Sequence, residues 1–235
     1  MRYLLSLSFI LCTSTFAFAQ RPVAAAELSF AAMARDSCVR SAFLHFLDSA
    51  AFSFSKYTIH NVHQQWLQLP EPQIQLVGKS VYHNLTLSGN TGFTTSPSEE
   101  KATGSSQTAS STSPNSIATI SALPSAIGEI SEVESLFLKD YQTAGNLAFS
   151  EYITDATWFN LEGYPPLHDS TSIMEAIGEL HNNITFKPVA GGLSEDKDLG
   201  YVYGYTLEGT KRNNYMRIWF RTSAGWKIIL QIIQW

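Results

Sequence analysis

The clearest pattern in the chain is the alternation of apolar and polar positions over residues 199–235, in three runs separated by turn residues. In the first run Tyr201, Tyr203, Tyr205 and Leu207 share one side, and Val202, Gly204 and Thr206 the other. In the second, Met216, Ile218 and Phe220 oppose Tyr215, Arg217, Trp219 and Arg221. The two arginines mark the latter as the wetter side, their stems lying along Trp219. In the third, Trp226, Ile228, Leu230 and Ile232 face one way, and Lys227, Ile229, Gln231 and Ile233 the other. Turn chemistry falls at residues 208–213 and at Ser223-Ala224-Gly225, which predicts a meander of three antiparallel strands. One face of such a sheet is dry and needs helices to cover it.

Upstream, the period changes several times. Residues 23–34 are Ala-rich and helical. Asp36 and Ser37 are N-cap types ahead of Val39, Phe43, Phe46 and Leu47 at helical spacing. Residues 50–56 alternate as a strand, and 60–67 predict a short helix. Residues 74–87 are strand-like but broken at Gly78; Ser88-Gly89-Asn90 is a turn before a strand over 91–96. Residues 97–116 are Ser, Thr, Gly and Glu with almost nothing apolar, the composition of a flexible linker. Ser131 and Glu134 have the spacing of a capping box. Val133, Leu136, Phe137, Tyr141 and Ala144 then form an apolar stripe that Gly145 ends. Asn146 restarts a short helix, 156–161 is a strand, Pro165-Pro166 a turn, and Asp169 or Ser170 caps a third helix carrying Ile173, Ile177 and Leu180. Residues 184–189 begin the closing sheet.

The two halves echo each other. Residues 42–47 resemble 148–153, Ala50-Ala51-Phe52 resembles Ala156-Thr157-Trp158, and Thr91-Gly92-Phe93 resembles Leu199-Gly200-Tyr201. The expected organisation is a signal segment over 1–19, an incomplete first copy over 20–96, a polar linker over 97–126 and a complete second copy over 127–235.

Composition adds an address and an exclusion. The 235 residues are 12% aromatic and 15% charged, which predicts a sizeable core, and the formal net charge of −5 without a basic cluster argues against a nucleic-acid surface. Arg2, the apolar run over 4–15 and Ala17-Phe18-Ala19 have the arrangement of a cleaved export signal, too short to span a membrane. The expected location is therefore periplasmic or extracellular. After cleavage Cys38 is the remaining cysteine, expected as a small buried apolar residue.

The order of elements, together with residues 27–54, 88–97, 198–201, 215–219 and 225–230, resembles the nuclear transport factor 2-like superfamily, and most closely its exported bacterial SnoaL-like domains of unknown function. The resemblance implies an α+β fold: a cone of helices packed on a curved antiparallel sheet, here in two related copies with the first shortened. It also implies a pocket, and the same cone hosts isomerases, dehydratases, cyclases and binding modules. An enzyme of this kind needs a buried carboxylate or imidazole base facing a donor. The catalytic candidates are Asp155, Glu162, His168 and Tyr203, with Asp169 and His181 nearby; Asp169 serves more simply as a helix cap. The ligand-binding candidates are Trp158, Tyr164, Tyr201, Tyr203 and Trp219. His60 and His63 have ligand-like spacing, but with no third ligand nearby no metal and no cofactor is expected. The sequence thus favours an exported, non-catalytic module holding a small apolar or aromatic ligand. A SnoaL-like enzyme is the first alternative. A structural module that dimerises through its sheet, or pairs its two copies there, is the second.

Overall fold

The computed structural model describes residues 21–49, 51–55, 58–70, 74–78, 82–85, 92–95, 98–102, 127–161, 164–179 and 184–233. The expected signal segment, residues 103–126 of the expected linker, Glu162 and His181 lie outside the described residues.

In the N-terminal half, α1 (Arg21–Asp36) and α2 (Val39–Phe46) bury Ala34, Val39 and Ala42 between them. Phe43 stacks on Trp66 of α3 (Val62–Gln68), with centroids 4.5 Å apart. The cap of α2 is Cys38, not Asp36 or Ser37: its Sγ accepts the Ser41 backbone N–H at 3.3 Å. Asp36 instead ends α1 in an ion pair with Arg35. The thiol is thus a half-buried cap rather than a core residue. Strand β1 (Phe52–Ser55) pairs with β2 (Thr58–Asn61), β3 (Ile74–Gly78) with β6 (Ser98–Ala102), and β4 (Tyr82–Leu85) with β5 (Gly92–Thr95). Strand β6 corrects the expected linker boundary: Ser98-Glu99-Glu100-Lys101-Ala102 has poor strand propensity, but its backbone pairs in register with β3, and pairing overrides propensity.

The C-terminal half begins with α4 (Ile127–Ala144). It starts before Ser131, so the expected capping box does not form. Glu134 turns into the core, where it is 2% exposed. The buried stripe of α4 is Ile130, Val133, Glu134, Phe137 and Tyr141, and Leu136 points to solvent. Gly145, at φ +61°, ends the helix as its sequence predicts. A 3₁₀ turn (Gly145–Ala148) leads into α5 (Phe149–Tyr152). Then follow β7 (Trp158–Leu161), β8 (Leu167–His168), α6 (Ser170–Glu179), β9 (Thr185–Leu193), β10 (Leu199–Glu208), β11 (Lys211–Thr222) and β12 (Gly225–Ile233).

These six strands form one sheet in the order β8-β7-β12-β11-β10-β9. The fold is α+β, with helices on a curved sheet, as expected. The sheet is mixed rather than wholly antiparallel, because β7 joins β12 in parallel. The turns are tighter than the sequence suggests. Only Gly209 and Thr210 separate β10 from β11, and Lys211, Arg212 and Asn213 belong to the strand.

Two register shifts bend the sheet, between Tyr203 and Gly204 on β10 and between Ile218 and Trp219 on β11. The second leaves Ile229 as an extra residue, so the strict alternation expected along β12 breaks there. The inner face, under α4, carries Val202, Thr206, Asn213, Tyr215, Arg217, Trp219, Ile228 and Gln231. The outer face carries Tyr201, Tyr203, Met216, Ile218, Leu230 and Trp158. Here the expectation of a wet arginine face is corrected. Arg217 is 0% exposed beneath α4, because a buried carboxylate and a ring of aromatics receive it. Arg221, nearer the edge, is half-exposed over the Trp226 ring and pairs with Glu129.

Candidate functional site

The site is built where α4 ends over the start of β9. Gly145 turns the chain away from the helix axis and leaves a cavity of about 440 Å³, open to solvent. Leu138, Tyr141, Gln142 and Ala144 line it from α4, Gly145 from the corner, and Ile184, Thr185 and Phe186 from β9. No carboxylate and no imidazole is among these residues. The groove offers two aromatic walls, aliphatic floor and a few neutral polar groups, a composition suited to small organic ligands.

Behind the wall lies a buried polar network. The Glu134 carboxylate accepts from Arg217 Nη1 at 2.6 Å and from the Tyr215 hydroxyl at 3.2 Å through Oε1, and from Trp219 Nε1 at 3.0 Å through Oε2. Arg217 Nε donates to Gln231 Oε1 at 2.6 Å. The guanidinium carbon sits 3.9 Å from the Phe137 ring centroid and 5.0 Å from that of Phe186. Burying a carboxylate and a guanidinium is tolerable only because each meets the other with added hydrogen bonds. The hydroxyl of Tyr141 donates to Asn146 Oδ1 at 2.9 Å, and Asn146 Nδ2 donates to the Ile177 carbonyl at 2.9 Å, tying the groove wall to α6. Burial pushes the Tyr141 phenol up to about 12, with Arg217 pulling the other way. Burial, then the Glu134 charge, push Tyr215 up further still. Both phenols stay protonated donors.

The residues singled out from the sequence are not gathered here. Tyr201 and Tyr203 lie side by side on the outer face, ring centroids 6.2 Å apart. Trp158 is also on that face, its ring centroid 4.6 Å from that of His168 in a T-shaped pair. Trp219 is inside, on Glu134. Tyr164 is exposed and donates to Glu179 at 3.2 Å. Asp155 is exposed and accepts from the Ser170 hydroxyl at 2.5 Å, a bond that holds its carboxyl below the usual range. Asp169 caps α6, accepting the Ser172 N–H at 2.8 Å, which likewise lowers its carboxyl. His60 is on β2 and His63 on α3, so the two do not share a helix face; no cluster of metal-ligating side chains occurs among the described residues.

Glu134, Arg217 and Gln231 were missed as a unit. A signal existed: Glu134 falls on the helical period of Ile130, Phe137 and Tyr141, and Arg217 alternates with Tyr215 and Trp219. Opposite charges on two buried periodicities point to a pair.

No family model and no curated protein matches the chain. Among solved structures it is similar to a nuclear transport factor 2-like protein with a cystatin-like fold from Novosphingobium aromaticivorans, at 12% identity over 45% of this chain and 79% of that one, TM-score 0.36. It is similar to nuclear transport factor 2 from Cryptosporidium parvum, at 11% identity over 48% and 97%, TM-score 0.39. It is also similar to the epoxide hydrolase/cyclase-like enzyme SalBIII of pyran ring formation in salinomycin, at 15% identity over 45% and 88%, TM-score 0.35.

Proposed function

We propose that the protein is an exported, non-catalytic binding module that holds a small apolar or aromatic molecule in the groove between α4 and β9. The observation that carries this reading is the groove itself: about 440 Å³, walled by Tyr141 and Phe186, with no carboxylate or imidazole among the described residues that line it. A general base needs hydrogen-bond reach of the reacting atom. Asp155 and His168 are exposed and engaged elsewhere, on Ser170 and Trp158. Export rests on the arrangement of the N-terminal residues in the sequence.

The test is titration of the full chain with 1-aminoanthracene, whose fluorescence rises on entering an apolar site. Saturable single-site binding is expected. Ala144→Trp, which fills the groove from an exposed position, lowers affinity at least tenfold, while Asp155→Asn and His168→Asn leave it unchanged. Binding that survives Ala144→Trp and is lost in Asp155→Asn defeats the assignment.

The reading extends to the outer sheet face. Ile218 and Leu230 are 0% exposed there, and Phe52 of β1 meets the Tyr203 ring at 4.5 Å. These contacts favour pairing of the two halves of one chain, related as shortened and complete copies, over a homodimer across the sheet.

A further inference from the structure

Three buried polar atoms on the inner face have no hydrogen-bond partner among the described residues: Arg217 Nη2, Thr206 Oγ1 and Asn213 Oδ1. Native proteins leave few such atoms, because each forfeits its hydration. Two of them, Thr206 and Arg217, neighbour Phe186. Thr206 pairs in register with Asn213 on one side and with Phe186 on the other, and the Phe186 ring centroid lies 5.0 Å from the Arg217 guanidinium carbon. Phe186 is also a wall of the groove. Arg217 therefore sits one aromatic ring behind the cavity, with a donor arm unused.

Resting on the groove as the binding site, we propose that Phe186 is a gate, and that the ligand is a neutral apolar molecule carrying a carbonyl-type acceptor. The ring swings aside, and the acceptor takes a hydrogen bond from Arg217 Nη2. The charge balance decides the class. Glu134, 2.6 Å from Arg217 Nη1, already neutralises the guanidinium. An anionic ligand brings a second buried negative charge beside Glu134. A ketone, ester or amide oxygen satisfies the free arm without that repulsion. A pure hydrocarbon leaves the arm unsatisfied.

The experiment compares three ligands of one size by calorimetry on the full chain: acetophenone, ethylbenzene and benzoate. Acetophenone is expected to bind at least tenfold more tightly than ethylbenzene, with benzoate no better than ethylbenzene. It is also expected to shift the NMR signal of the Trp219 indole N–H, which reports on Glu134. Arg217→Lys keeps the positive charge for Glu134 but lacks the second arm; there the acetophenone preference falls to about onefold while both ligands still bind. The neutral double variant Glu134→Gln/Arg217→Met gives the same loss if the lysine variant folds poorly. Phe186→Ala opens the gate and tightens acetophenone binding. Equal binding of acetophenone and ethylbenzene to the wild type, tightest binding of benzoate, or a preference that survives Arg217→Lys overturns the inference and leaves the groove standing. Binding of none of the three overturns both.

Discussion

At the scale of single residues, Glu134 and Arg217 decide most. The pair is buried, so its net contribution to stability is small, but removing one partner strands the other. Glu134→Ala is expected to cost about 3–5 kcal/mol, read as a lower urea midpoint at unchanged slope. Glu134→Gln/Arg217→Met, which removes both charges, is expected to cost much less. A second residue-scale effect is pH dependence. The Tyr141 phenol is raised from its ordinary 10.0 to about 12, and Tyr215 moves in the same direction. Below the unfolded value both states hold the proton. Between about 10 and 12 the unfolded chain sheds it and the folded chain keeps it, so stability falls as pH rises through that window. Tyr141→Phe is expected to flatten the fall, measured by denaturation at pH 9 and at about 11. That a core exists was legible from aromatic spacing. The polar centre of that core was not, because Glu134 also fits a capping box and Arg217 also fits a solvated strand face. Choosing between them requires knowing where α4 begins and which face it covers.

At the scale of elements, local signals were legible and long-range ones were not. Asp169 as the cap of α6 and Gly145 as the end of α4 depend only on neighbours, and both were read from the sequence. Asp169 sits at φ +78°, a conformation Asn tolerates and Ala does not. Asp169→Asn is therefore expected to be nearly neutral, and Asp169→Ala to cost about 1 kcal/mol or more through the lost cap, read by thermal unfolding. The sheet's register shifts have no such local mark. Alternation assigns faces by counting in twos, and one extra residue such as Ile229 reverses every assignment beyond it. The shift at Gly204 brings β9 so close that a Cβ there would overlap the Lys187 carbonyl. Gly204→Ala is accordingly expected to destabilise the fold by about 3 kcal/mol, with the loss seen as faster amide exchange along β9 and β10. Strand β6 was missed for the same reason, since its partner β3 lies across a nested hairpin and its own composition is that of a linker.

At the scale of the whole molecule, the sheet has two dry faces, and α4 covers only one. Met216 at 4% exposed and Ile218 and Leu230 at 0% lie on the other, so chain must lie over them. The Phe52 ring against Tyr203 locates part of that cover in the N-terminal half. If the two halves of one chain pair this way, the apolar face is unavailable to a second copy and the protein is a monomer. Phe52→Asp places a charge against the Tyr203 ring, and losing the cover exposes a contiguous apolar patch, the kind of surface that associates. Sedimentation over a concentration series is expected to give a monomer for the wild type and concentration-dependent dimerisation for Phe52→Asp. A wild type that is already dimeric, and unmoved by Phe52→Asp, places a second copy on this face and removes the pairing of halves while leaving the groove on the inner side untouched.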